Sequence, residues 1–342
     1  FDDAFDILEN TFSNLFITGK AGTGKTTFLN YFRTHTQKNV VVVAPTGIAA
    51  INIKGQTIHS FFRFKPGFID INSIGKARAD LRKIYNSIDI LIIDEISMVR
   101  ADLFDAIATF LNINGKYPGD AFGGCQICII GDLFQLPPIV SNQDRQLFYD
   151  AYNTPYFYGA HSYVKDSFSF IEFSKIFRQS EEEFITLLNQ VRDNSLDQDS
   201  LNFINHRCML PADNENNDAI TLTSTNKVAD DLNQFKLQQI KNPESHYVAK
   251  ATGDFKTMTQ LPAISKLTLK LGAQVMFIKN DKDKRWVNGT VGIVTKLDKK
   301  SVFVNAGGIE YDVPQETWEL IKFEYNEKSD KIIEVEKGTY KQ

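Results

Sequence analysis

The sequence predicts an α/β protein: a doubly wound parallel sheet in its first half, then a second, shorter α/β unit, then a β-rich end. Three observations carry this expectation. Four apolar runs in the first half are continuous rather than alternating, which marks strands covered on both faces by helices. A glycine-rich segment follows the first of these runs directly and opens a helix-like stretch. From about Gly272 the pattern changes to short strands separated by Gly, Asn and Asp turns.

The four runs are LFIT (15–18), VVVVA (40–44), DILIID (89–94) and QICIIGD (126–132). The segments between them are long enough for crossovers, and TTFLNYFRTH and RADLFDAIATFL among them read as helices. Ligands of such a sheet bind at the carboxyl ends of its strands. After FSFIEFSKIFRQ (168–179), the stretch EEEFITLLNQVRDNS places Phe184, Leu187, Leu188 and Val191 at helical period. A polar loop, PADNENNDA (211–219), then precedes a strand-like ITLTST and a helix-like NKVADDLNQFKLQQI. The segments VMFIK, VGIVTKL, SVFVN, IEYDV, IKFEY and KIIEVE complete the chain and suggest a small barrel.

The 342 residues are enough for two domains and a small third one, and 42% hydrophobic with 23% charged residues reads as a soluble globular chain. No apolar run reaches membrane-spanning length and no signal-peptide pattern opens the chain. Because the first residue is Phe1 rather than Met, an N-terminal piece is expected to be absent. The net charge of −4 argues against indiscriminate polyanion binding but allows a local basic groove. Between Ser60 and Ile84, Arg63, Lys65, Lys76, Arg78, Arg82 and Lys83 face only Asp70 and Asp80. That excess fits either a solvated loop and helix or a basic contact surface.

Three cysteines point to a reducing compartment. Cys125 and Cys128 have C-x-x-C spacing, but no second Cys or His pair completes four zinc ligands. Both read as packing residues.

The chemistry begins at GKAGTGKT (19–26), which fits G-x-x-x-x-G-K-[ST] between a strand and a helix. Gly22, Thr23 and Gly24 let backbone N–H groups close around phosphates at the helix N-terminus, with Thr27 following in the first turn. Lys25 is expected to reach the β and γ phosphates and Thr26 to bind Mg²⁺ through its hydroxyl. In IIDE (92–95), Asp94 is placed to hold the metal and Glu95 to orient and activate the attacking water. An acidic pair after a strand is otherwise a helix cap, so its weight comes from Lys25 and Thr26. A GTPase is disfavoured, since the only N-K-x-D candidate, Asn226-Lys227-Val228-Ala229, lacks the acid. A compact kinase would leave the second α/β unit unexplained.

Taken with APTGIAA (44–50), GQTIHSFF (55–62), IIDEISMV (92–99), GDLFQLPP (131–138), FRQ (177–179), LTSTNKVADDLN (222–233), LGAQVMFIKN (271–280) and WVNGTVGIV (286–294), the phosphate loop resembles that of the Pif-type DNA helicases. These belong to the 5′-to-3′ clade of helicase superfamily one, and the match runs in order from Phe16 to Val294. The resemblance implies two RecA-like domains, residues 1–172 (with the small basic insertion at about 63–84) and an incomplete second domain over 173–272. An SH3-like β subdomain would occupy 273–342. ATP would bind between the domains, with Mg²⁺ as cofactor, Gln135 sensing the γ-phosphate and Arg178 reaching the same group. Thr46, Gly47, His59 and Phe61 would contact single-stranded DNA from the first domain, and Thr223 and Asn226 from the second. The residues themselves support this: Thr46 and Gly47 precede a helix N-terminus that offers donors to a phosphate. His59, Phe61 and Phe62 could stack on bases at roughly 1–3 kcal/mol per base, although core packing is the expectation for one of the two phenylalanines.

The resemblance further implies a monomer acting on single-stranded DNA, with forked or G-quadruplex DNA as related substrates and no membrane partner. The family's T-x-H-K-S-Q-G and V-A-L-S-R elements do not occur before Gln342, so the second domain's last strand and helix are expected to be missing with them. Two alternatives stay open: an ATP-switched clamp on single strands that does not unwind, and an RNA helicase of the same superfamily.

Overall fold

The computed structural model describes residues 1–177, 182–209, 220–258, 261–283, 285–299 and 301–342. After helix α1 (Asp2–Asn10), the chain lays down strands β1 (Asn14–Gly19), β2 (Val40–Ala44), β3 (Gln56–Thr57), β4 (Ile90–Ile93), β5 (Gln126–Ile130) and β6 (Phe168–Phe173). They form one sheet in the order β3-β2-β4-β5-β1-β6, parallel at every pair. Every residue of β4 and β5 is buried, as continuous apolar runs require. Helices α2 (Lys25–His35), α3 (Gly47–Asn52), α4 (Ile58–Phe62), α5 (Ala79–Asn86), α6 (Ala101–Asn114) and α7 (Arg145–Ala151) lie in the connections. The order places β4, β5 and β1 side by side, so three adjacent carboxyl ends open on one rim. That is where a doubly wound sheet holds its ligand.

Helix α6 is the core's main cover, burying Leu103, Phe104, Ile107, Phe110 and Leu111. Its buried acids are paired, as buried charges must be. Asp102 takes two hydrogen bonds from Arg100, at 2.9 and 2.7 Å, and one from the Ile69 backbone at 3.1 Å. Asp105 accepts from the Tyr152 hydroxyl at 2.9 Å and from the backbones of His161 and Ser162 at 3.0 and 2.7 Å. Asn114, at the helix end, accepts from Ala77 at 2.7 Å and donates to Gly75 at 3.1 Å. These bonds staple the middle of the basic 63–84 segment, at Ile69, Gly75 and Ala77, to the two ends of α6. Cys125 and Cys128 are buried and free, their thiols pushed up by burial.

Two compact units divide the chain, one of residues 1–195 with 319–337 and one of 196–318 with 338–342. The first also contains α8 (Glu182–Arg192). The second contains α9 (Gln198–Met209), α10 (Asn226–Gln239), an antiparallel pair formed by β7 (Glu244–Val248) with β9 (Lys266–Lys270), and the short β8 (Lys250–Ala251). It continues with a four-stranded antiparallel sheet of β10 (Gln274–Met276), β11 (Val291–Leu297), β12 (Ser301–Ala306) and β13 (Ile309–Pro314). Phe277, Trp286, Val304 and Ala306 form that sheet's small core. Strands β14 (Thr317–Asn326) and β15 (Lys331–Lys341) form a long hairpin whose residues 319–337 belong to the first unit. There the Phe323 backbone donates to Gln56 Oε1 at 3.3 Å, and Glu334 and Glu327 pair with Arg33 and Lys83.

Two expectations change here. The β-rich segment 273–342 is not one body, because the Glu319–Lys337 hairpin finds its apolar and charged partners on the first unit. The strand expected over ITLTST (220–225) is absent. An isolated segment gains a ladder only from a partner, and Leu222 stands 88% exposed. The polar loop at 211–219 lies outside the described residues. Among the described residues no helix is long and apolar enough to cross a membrane.

Candidate functional site: a phosphate loop at three strand ends

Strand β1 runs straight into the glycine loop. At Gly19 (φ 150°) an added Cβ would lie 2.5 Å from the Phe173 carbonyl and 2.8 Å from Thr23 Oγ1, so only glycine lets the loop leave the strand. Gly24 caps α2 in the left-handed region (φ 90°), and Lys25 is the first helical residue. Thr23, which is buried, ties the loop by donating to the Lys20 carbonyl at 2.8 Å. Lys25 Nζ is folded into the loop, donating to the carbonyls of Gly19 at 2.6 Å and Lys20 at 3.1 Å. Burial lowers its pKa, opposed by Asp132, Glu95 and Asp94. Thr26 and Thr27 stand exposed on the first turn of α2. The Gly22 carbonyl accepts from the Phe177 backbone at 2.9 Å. Arg178 itself lies outside the described residues.

The end of β4 supplies the acids. The Asp94 backbone donates to Val43 at 2.9 Å, continuing the ladder one residue past the strand. The Asp94 carboxyl is 8% exposed, and burial together with the neighbouring Glu95 pushes its pKa up to about 6, against the pull of Lys25. Glu95 adopts φ 52°, a left-handed conformation that costs a non-glycine residue about 1–3 kcal/mol. Strain of this kind clusters at functional sites, and nothing in IIDE announces it. Thr26 and Asp94 offer a hydroxyl and a carboxylate, the oxygen donors Mg²⁺ takes while keeping waters and phosphates for its other positions. A donor set of this kind needs no acidic cluster, and none of three or more ligating side chains exists among the described residues.

The end of β5 supplies a turn held by one buried carboxylate. Gly131 packs so closely that a Cβ would meet Ile96 Cγ2 at 2.8 Å, which locks this turn against the one after β4. Asp132, 1% exposed, accepts from the Phe134 backbone at 3.1 Å, from Gln135 Nε2 at 3.0 Å and from Arg192 Nη1 at 2.6 Å. Burial alone would raise its pKa, but those hydrogen bonds outweigh it and hold the carboxyl below the usual range. The Arg192 guanidinium also lies 4.2 Å from the Phe134 ring centroid. Gln135 is exposed, with its amide turned onto Asp132. Sequence reasoning assigned no role to Asp132 or Arg192. A charged residue ending an apolar strand was a signal for the first. The second, 60 residues away in the chain, offered none.

Thr46 caps α3, accepting from the Ala49 backbone at 3.2 Å, and Gly47 is that helix's first residue. Both follow β2 on the same rim as Asp94. His59 is half-buried on α4, and burial, with Arg100 nearby, lowers its pKa, leaving it neutral at pH 7. Phe61 requires a correction. It is 5% exposed and Phe62 2%, with the two rings edge to face at 4.9 Å and Phe61 also edge-on to Tyr85 at 5.4 Å. Both phenylalanines are core, and neither offers a face to a base. Thr223 donates to the Thr225 carbonyl at 3.0 Å, and Asn226 opens α10 in the second unit, where Thr225 is the helix cap.

A glycine loop between a buried parallel strand and a helix, its lysine in electrostatic reach of carboxylates ending β4 and β5, defines a P-loop nucleoside-triphosphatase class of site. The family description PIF1-like helicase matches residues 2–201, and that of the DNA helicase Pif1 2B domain matches residues 258–297. The ATP-dependent DNA helicase Pif1 of Campylobacter jejuni is 28% identical over 88% of this chain and 71% of its own length. The crystal structure of Bacteroides sp Pif1 with ADP-AlF4 aligns over the whole chain and 79% of that protein, with a TM-score of 0.90 and 33% identity. The Bacteroides Pif1 structure with ADP-AlF3 and ssDNA aligns over the same shares with a TM-score of 0.60 and 32% identity. This chain spans 45% and 40% of the length of two eukaryotic relatives. It belongs to the PIF1-like helicase family, whose named relatives are ATP-dependent DNA helicases.

Proposed function

We propose that the chain hydrolyses ATP to move along single-stranded DNA in the 5′-to-3′ direction and to open duplex or forked DNA ahead of it. The observation that carries this reading is the convergence of Lys25, Asp94 with Glu95, and Asp132 with Gln135 on three adjacent strand ends of a PIF1-like chain. In this reading Gly22, Thr23, Gly24 and Thr27 surround the phosphates, and Lys25 leaves the Gly19 and Lys20 carbonyls to neutralise them. Thr26 and Asp94 hold Mg²⁺, which neutralises phosphate charge when bound. Glu95 takes the proton of the attacking water, and its strained backbone fixes where that carboxylate points. Gln135 leaves Asp132 for the γ-phosphate, and Arg178, one residue beyond the Phe177 contact to Gly22, reaches the same group.

Single-stranded DNA crosses the rim at Thr46, Gly47 and the neutral His59, with Thr223 and Asn226 as contacts in a second RecA-like domain. The β10–β13 sheet serves as the SH3-like subdomain. The acting unit is a monomer, and folded G-quadruplex DNA is a further substrate. The ssDNA complex of the Bacteroides relative supports the choice of DNA.

The test is ATP hydrolysis by the purified chain with and without single-stranded DNA. Hydrolysis should rise with DNA, and DNA binding should weaken as salt rises, because neutralised phosphates release counterions. A rate indifferent to DNA, or equal stimulation by RNA, contradicts the reading.

A further inference from the structure

We propose that Arg192 is a positioning residue that holds the charge of Asp132, so that the Gln135 amide and the Lys25 amine are free to turn to the terminal phosphate of a nucleoside triphosphate. The inference rests on the reading of the glycine loop as an ATP site, and adds to it a residue outside the motifs. Arg192 Nη1 and Gln135 Nε2 donate to the same atom, Asp132 Oδ2, at 2.6 and 3.0 Å. The carboxylate's other oxygen is taken by the Phe134 backbone. Turning the Gln135 amide to a phosphate therefore draws it off Asp132 or leaves it sharing its two N–H donors between the two. When it leaves, the ion pair to Arg192 is, among the described residues, the one charged hydrogen bond that keeps a 1%-exposed carboxylate satisfied.

The geometry suits a fixed support rather than a mobile one. Arg192 is the last residue of α8, where the helix's carbonyl end favours a cation. Its guanidinium rests on the ring of Phe134, the residue immediately before Gln135. Without Arg192 the buried carboxylate would have two ways to recover a partner. It could keep Gln135, or it could draw Lys25, on which it already acts as the strongest of the nearby acids. Keeping Gln135 weakens the grip on the terminal phosphate alone, which ADP lacks, whereas drawing Lys25 weakens the grip on the β and the terminal phosphate together. The position thus separates ATP from ADP rather than binding both.

The test measures binding of AMP-PNP and of ADP to the full chain with Mg²⁺. Arg192→Met keeps the stem over Phe134 and removes the charge and its donors. It should lower the preference for AMP-PNP over ADP about tenfold, the low end for losing a hydrogen bond to a charged group. Arg192→Lys should keep most of the preference. Arg192→Met combined with Asp132→Asn should restore it, because no buried charge then needs holding. Equal weakening of both nucleotides, without rescue by Asp132→Asn, marks Arg192 as a structural brace and overturns the proposal. Should Arg192→Met alone not fold, the comparison is made on an Asp132→Asn background, where adding Arg192→Met should change nothing; a tenfold loss there also overturns it. A wild-type chain that binds neither nucleotide refutes the ATP site itself, and this inference with it.

Discussion

Replacing Asp94 by asparagine should make the nucleotide-free protein more stable while removing its hydrolysis. The Asp94 carboxyl is held up from an ordinary value of 3.8 to about 6, first by burial and then by Glu95. A raised carboxyl pKa means that the folded state prefers the protonated form. The stability it contributes is full below pH 3.8 and is lost as pH rises through about 6. Two pH units at about 1.4 kcal/mol each put the cost of ionised Asp94 near 3 kcal/mol at pH 7.5. Asparagine removes that charge and still accepts the hydrogen bond from the Glu95 backbone. At about 2–4 °C per kcal/mol for a unit of this size, the melting temperature should rise by roughly 6–12 °C. The assay is thermal unfolding in EDTA at pH 7.5 and pH 5. At pH 5 the gap should shrink to about half, since most of the Asp94 population is then already protonated in the folded state. A variant no more stable than the wild type at pH 7.5 would refute the argument that burial strains this carboxylate.

Phe61→Ala should cost about 3–5 kcal/mol in a denaturant titration, as a buried phenylalanine does, and leave the DNA affinity of the folded fraction unchanged. A loss of DNA affinity at unchanged stability would restore Phe61 to the strand-binding surface. Lys25→Ala should fold and fail to hydrolyse ATP, whereas Glu95→Gln should bind ATP and turn it over slowly; normal turnover by the second would make Glu95 only a turn residue. Gln135→Ala should bind DNA nearly as before but open fewer base pairs per ATP hydrolysed. A mutant with the wild-type ratio would show that Gln135 merely braces the loop.

The strands of the first half were legible because burial on both faces leaves no polar alternation to confuse. The runs at 40–44, 89–94 and 126–132 contain β2 (Val40–Ala44), β4 (Ile90–Ile93) and β5 (Gln126–Ile130). The two-residue β3 has no pattern long enough to read. The strand expected at 220–225 failed for the opposite reason, its local propensity finding no partner. Phe61 was ambiguous because an aromatic next to a polar motif looks the same whether it stacks on a base or on Tyr85. The hairpin at 319–337 could not be assigned to the first unit, because strand alternation names a buried face but not what buries it. Within the site, the motif residues Lys25, Asp94, Glu95 and Gln135 arise at predicted strand ends, but the left-handed Glu95 and the hold of Arg192 on Asp132 are tertiary facts.

The most direct test of the account is strand displacement from a duplex carrying a single-stranded tail at either its 5′ or its 3′ end, with ATP and Mg²⁺ supplied. The account predicts that the 5′-tailed duplex is opened, that the 3′-tailed one is not, and that Lys25→Ala opens neither. Opening from the 3′ tail would contradict the direction. ATP hydrolysis on both tails with no strand released would contradict unwinding itself and leave an ATP-driven clamp in its place.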